Sequence, residues 1–244
     1  MYKLFFSLFL VFSLVGCQVS HLTTLYDDKT SIEENGLRVD ALHHPITGIY
    51  QRHSAKMSLL EEAYYVDGLP DGIYKTYYKN GKLALSQQYH KGKLNGKTIS
   101  YYENGQTHEI LSYVHQKLNG GQLAYYPNGD LMRKGSYKNG LKHGVFEEYY
   151  TNGAVKSSIT YRHGKQHGPS RFYTPDNHLI NYTEFVHGLR DGPAYSYYKN
   201  GNPQTLAYRK HDKLDGIVKE FDEQGQLVSL ITYQNGIKLN SVKF

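Results

Sequence analysis

Apolar and polar side chains alternate along this chain in short bursts broken by glycine. After Gly72 a tyrosine-rich run extends to Tyr78 and stops at Asn80-Gly81; a second alternating run ends near Tyr89, and a return containing Gly92 delivers the chain to Asn95-Gly96. Runs of this length with a period of two predict β-strands, and the breaks predict turns. Then the unit begins again. Its opening glycine recurs as Gly48, Gly72, Gly96, Gly120, Gly144, Gly168, Gly192 and Gly216, at seven successive intervals of 24 residues. A fixed period of this size marks a repeat array, in which each unit completes its apolar core against its neighbours.

Nine residues after the opening glycine stand Gly81, Gly105, Gly129, Gly153, Gly201 and Gly225, each preceded by Asn or Gln. Asn-Gly between two alternating runs predicts a β-hairpin closed by a type I′ turn, which needs positive φ at both central residues. Each unit is therefore expected to be one hairpin. The residue ahead of each opening glycine is a turn former (Asp71, Asn95, Asn119, His143, His167, Asp191, Asp215), which predicts a tight return between units. His143 and His167 are read as turn histidines, because the spacing supplies no further ligands for a metal.

Two aromatic ladders follow from the period. Tyr77, Tyr101, Tyr125, Tyr149, Tyr173, Tyr197 and Phe221 stand five residues after the opening glycine; Tyr65, Tyr89, Tyr113, Tyr137, Tyr161, Phe185 and Tyr233 stand seventeen after it. They are expected to interleave into one aromatic core stripe. Tyr78, Tyr102, Tyr126, Tyr150 and Tyr198 directly follow the first ladder and so point to the opposite face. There they are expected either to cover a single-layer sheet as good strand formers or to form a partner-binding surface, since tyrosine offers contact area at low entropic cost. Three units depart from the pattern: the first has His53 and Met57, the sixth has Thr174 and Pro175-Asp176-Asn177, and the seventh has Arg209 in the second ladder.

Composition sharpens this picture. With 39% hydrophobic residues, a mean hydropathy of −0.62 and 25 tyrosines, the chain suits a thin sheet with an aromatic spine better than a thick aliphatic core. Two strands per unit at about 4.8 Å give eight units a length on the order of 75 Å. The fold class expected is all-β, an elongated single-sheet solenoid of about eight 24-residue antiparallel hairpins. The net charge is +6, carried by lysines that the sequence distributes among turns, and it is read as solvation of those turns. Nucleic acid is not an expected partner.

The beginning of the chain has a different character. Lys3 precedes an apolar run, Leu4–Val15, too short for a membrane span and of the length of a signal-peptide core, so residues 1–16 read as a targeting segment. Leu14-Val15-Gly16-Cys17 resembles the lipobox of bacterial lipoproteins, which implies cleavage before Cys17, acylation of that cysteine and, with Gln18 following, an outer-membrane position facing the periplasm. Cys17 is the sole cysteine, so no internal disulfide competes for it. Residues 17–43 carry no repeat and read as the lipidated cysteine with a tether or N-terminal cap; residues 44–244 are the array.

The sequence holds no nucleophile elbow, zinc-protease helix, phosphate loop or dinucleotide fingerprint. Neither an enzyme nor a cofactor is expected. The recurring Tyr-Tyr-x-Asn-Gly-x-Leu followed by Tyr-x-x-Gly-x-x-x-Gly, clearest in Tyr77–Gly96, Tyr101–Gly120 and Tyr149–Gly168, resembles the bacterial variant of the MORN repeat. That resemblance implies a sheet of stacked hairpins. Many bacterial chains of this kind are grouped as YwqK-family antitoxins, which implies a protein that neutralises a toxic effector by binding it. The functional expectation is a lipid-anchored protein-binding module of the cell envelope, an immunity or antitoxin protein whose partner is a secreted effector. The alternative is a structural envelope scaffold contacting lipid or glycan.

Overall fold

A computed structural model describes residues 24–244; the targeting segment and Cys17 lie outside the described residues. No helix occurs among the described residues, and 21 strands join into one sheet. The sheet is a meander. Gly72–Tyr77 pairs with Leu83–His90, which pairs with Lys93–Tyr101, and the same antiparallel step repeats to Leu227–Gln234 and Ile237–Lys243. Among the described residues the one parallel pairing is at the N-terminal edge, where Leu25–Tyr26 lies beside Gly48–His53. Successive turns therefore alternate between the two long edges of the sheet.

The turns differ from the sequence expectation. At Asn80-Gly81 only the glycine has positive φ, at 81°. Gly81 donates its amide to Tyr78 O and Tyr78 donates to Lys82 O, so the loop is a type I turn closed by a left-handed glycine. Asn80 earns its place through its side chain: its Oδ1 accepts the Lys82 amide, and its Nδ2 donates to Glu103 O in the next unit. The type I′ geometry sits on the opposite long edge, at Lys91-Gly92 with φ of 47° and 74°, and at equivalent pairs every 24 residues. The turn formers ahead of the opening glycines are not in these returns. They stand beside them, where Asn119 Oδ1 and Asp215 Oδ1 accept the amides of Asn139 and Asn235.

Pairing across the sheet sorts the side chains. Tyr89 lies opposite Gly72 and Tyr74 opposite Gln87, so Tyr89 shares a face with Tyr74 and Thr76. Tyr77 is an odd number of residues from Gly72 and faces the other way. The two predicted ladders thus occupy opposite faces. The spine expected from them is built differently, from the second ladder and the residue two after the opening glycine: Tyr50 meets Tyr65, Tyr74 meets Tyr89, and Phe146 inserts edge-on between Tyr137 and Tyr161 at centroid distances of 5.4 and 5.2 Å. Buried Thr98, Gln122, Ala124, Ser157, Ser170, Ala207, Val218 and Ser229 all lie on this same face.

The densest packing is at the N-terminal end. Ile46, Tyr50, Ala63 and Tyr65 form a cluster, covered by the hairpin of Ser31–Glu34 and Leu37–Asp40. Arg38 from that hairpin lies 3.9 Å from the Tyr50 ring centroid, a cation over an aromatic face. Tyr50 donates its hydroxyl to Asp28. An end unit has no preceding neighbour, and this cap covers the apolar surface that a neighbour would have taken.

Candidate interaction surface

The face opposite the spine is continuous and open. Its middle row is Ile99, Ile110, Leu123, Lys134, Glu147, Ser158, Arg171, Tyr182, Tyr195, Leu206 and Lys219, each directly across from the next. Beside it the first ladder alternates with aliphatic residues: Tyr77 opposite Leu83, Tyr125 opposite Leu131, Tyr149 opposite Val155, Tyr173 opposite Leu179, Tyr197 opposite Pro203 and Phe221 opposite Leu227. Every one of these ladder residues is half-buried, and no second layer covers them among the described residues. The strands form because aromatic and branched side chains pack well on a pleated surface, and the period of two gives this face its own apolar set.

The C-terminal half of this face has the most contact-ready chemistry. The rings of Tyr182 and Tyr195 stack at 5.7 Å with 25° between their planes, and the Arg171 guanidinium lies 5.2 Å from the Tyr182 centroid. Tyr182 donates its hydroxyl to Glu184, and that bond to a carboxylate raises the phenol pKa. Next to the stack, Tyr195, Leu206, Tyr208, Ile217 and Lys219 line a depression, with Tyr208 48% and Ile217 56% exposed. Aromatic anchors with an adjacent cation and aliphatic pockets are the composition of protein-binding hot spots. Further along, Lys134 pairs with Glu147 at 2.6 Å and Tyr149 donates to the same carboxylate. The lysine and the phenol together hold Glu147 below the usual carboxylate range.

The five tyrosines singled out from sequence have a different environment. Tyr78, Tyr102, Tyr126 and Tyr150 donate their hydroxyls to the backbone carbonyls of Tyr101, Tyr125, Tyr149 and Tyr173, and Tyr198 donates to Phe221 O, at 2.5 to 2.9 Å. Each bond joins one unit to the next. The side chains are half-buried at the type I turn edge, so their polar ends are already occupied. Cys17 lies outside the described residues. His143 and His167 do not approach each other as a pair: His143 stands 5.9 Å from His163 and His167 stands 5.1 Å from His187, ring to ring. Among the described residues no three His, Cys, Asp or Glu side chains group to hold a metal ion.

Tyr182, Tyr195, Leu206 and Ile217 were not singled out from the sequence. A register count holds the signal for them. A residue opposite the opening glycine cannot share a face with the tyrosine five positions later, and that odd spacing already separates the two ladders.

The comparisons with known proteins fit this geometry. No curated protein matches the chain. Segments 70–91, 94–115, 118–139, 142–163, 190–211 and 214–235 match the MORN repeat variant. The gap falls on the sixth unit, where Pro175-Asp176-Asn177 replaces the turn motif; there Asn177 takes the left-handed position with φ of 64° and the hairpin keeps its hydrogen bonds. Such repeats suggest a module that binds proteins or membrane lipids. With six matches covering more than half of its 244 residues, the chain belongs to the MORN repeat variant family.

Proposed function

We propose that this chain is an immunity or antitoxin protein of the cell envelope, tethered through an acylated Cys17 to the periplasmic side of the outer membrane. It works by binding, not catalysis. A secreted effector docks on the open face and has its active site occluded. The observation that carries this reading is the uncovered aromatic and aliphatic surface running across successive units, with the Arg171, Tyr182 and Tyr195 stack as its anchor. A long open face of this kind, with shallow depressions along it, offers the area of a standard protein interface. The lipobox at Cys17 and the apolar run before it support the location.

The test uses the full chain and the effector encoded beside its gene. Calorimetric titration is expected to give a one-to-one complex, with the effector's activity lost on binding. Substituting Tyr195→Ala together with Leu206→Ala removes two anchors and should weaken binding by about 2 kcal/mol or more. Cells lacking the gene should lose in competition with effector-bearing siblings; unchanged survival, with no complex formed, refutes the proposal.

A further inference from the structure

The two long edges of the sheet carry different charge. Because the meander sends alternate turns to opposite edges, every type I turn lies on one and every type I′ return on the other. The five-residue segments around the returns, 66–70 and so on every 24 residues to 234–238, contain nine Lys, two Arg and two Asp, and the turn formers beside them add Asp71, Asp191 and Asp215. The matching segments around the type I turns, 54–58 to 222–226, contain four Lys and five acidic residues. Eleven of the 28 basic residues therefore stand on one edge, against four on the other. Of the eleven cations there, only Arg190 has a carboxylate within ion-pair distance among the described residues, Asp212 at 3.0 Å. The returns also bond to each other: Gly92 donates to Pro70 O, Gln116 to Leu94 O and Gly140 to Leu118 O, which holds the turns at a constant spacing.

We propose that this edge is a binding line for an acidic polysaccharide. Three observations select that partner among polyanions. First, no Tyr or Phe stands in the return segments, and the nearest ladder, the Tyr89 series, is turned onto the spine face. Single-stranded nucleic acid binders interleave their cations with exposed aromatic platforms for base stacking; here the large rings beside an edge cation, Phe146 and Tyr161 under Lys142, belong to the spine, and the rings in the returns themselves are histidines. Second, eleven cations over eight returns about 10 Å apart give a far lower linear density than the one charge per about 1.7 Å of duplex DNA. A glycan bearing scattered carboxylates matches it better. Third, adjacent strands rotate by about 20–25°, so an edge that crosses this many strands winds about the long axis. A flexible chain follows it, whereas a flat bilayer meets only part of it. Lysine predominates, and its point charge suits exchangeable contacts with a polymer more than bidentate recognition of one group. This binding line is separate from the open face and does not depend on the effector reading.

The experiment measures fluorescence anisotropy of the labelled full chain, in detergent at low ionic strength, on titration with polygalacturonate. Neutral dextran, oligothymidylate and phosphatidylglycerol vesicles are the comparison ligands. The intact chain is expected to bind polygalacturonate, with binding lost as salt is raised, and to ignore dextran. Lys93→Gln, Lys117→Gln, Lys138→Gln, Lys165→Gln and Lys213→Gln combined should weaken that binding about tenfold or more. These five lysines are exposed and unpaired among the described residues, so the thermal midpoint should not move. Lys79→Gln with Lys199→Gln, on the other edge, should bind as the parent does. Equal binding by the five-site variant overturns the proposal. So do absence of binding by the parent, tighter binding of oligothymidylate, and binding confined to the vesicles.

Discussion

The turn residues show how backbone geometry outlasts a change of sequence. In the first unit Met57 occupies the left-handed position that glycine fills elsewhere, with φ of 60° and 77% exposure. It donates its amide to Ser54 O, and Ser54 Oγ accepts the Ser58 amide where Asn Oδ1 serves in regular units. A residue with a Cβ in this region costs about 1–2 kcal/mol, and glycine's extra chain entropy returns part of that. Met57→Gly should therefore raise stability by about 0.5–1 kcal/mol, read as a higher urea midpoint with unchanged slope. Gly135 is the opposite case. A Cβ there would overlap the Phe146 ring, so the space given up by one residue is what admits that ring between Tyr137 and Tyr161.

At the scale of the hairpin, cohesion between units is carried by hydrogen bonds that repeat with the period. On one long edge the tyrosine hydroxyls and the asparagine amides reach the next unit's carbonyls, Tyr102 to Tyr125 O and Asn104 to Pro127 O at 2.8 Å each. On the other edge the returns donate directly from backbone to backbone. Tyr102→Phe combined with Tyr126→Phe removes two hydroxyl donors while keeping the rings. The expected loss is about 1 kcal/mol per bond, or about 2 for the pair, measured by equilibrium unfolding. The same double variant should bind a partner as the parent does if the open face carries recognition. The sixth unit lacks this tie, since Thr174 replaces the tyrosine, and its junction with the seventh is held by the strand pairing and the return edge without the hydroxyl bond.

For the whole molecule, contacts run mainly between neighbouring strands, and among the described residues the compact cluster is at the N-terminal cap. Stability in such an array is a sum over units and their interfaces. Deleting one complete unit, residues 120–143, brings Asn119 to Gly144 with the register intact and should leave a folded sheet. The denaturant slope is expected to fall by about one eighth, in proportion to the surface lost. A collapse to an unfolded chain would mean that distant units communicate, which nothing in the pairing provides for.

The 24-residue period, the hairpin in each unit and the membership of an all-β array were legible in the sequence, because glycine spacing and period-two alternation are local properties that neighbouring residues impose on each other. Asn80-Gly81 marked a turn correctly but not its type: the asparagine works through side-chain bonds to Lys82 and to the next unit, and the second of these is invisible until units are stacked. The faces were legible in principle, since Gly72 and Tyr77 differ by an odd number, yet tyrosine looks the same whether it packs in a spine or lies open. Tertiary structure decided that Tyr74 and Tyr89 are the spine, that Tyr78 and Tyr102 tie units together, and that Tyr182 and Tyr195 are left facing solvent. It also set nine lysines on one long edge against four on the other. Charge spread evenly along a chain becomes a one-sided field only when alternate turns are sent to opposite sides, and that is a property of the meander as a whole.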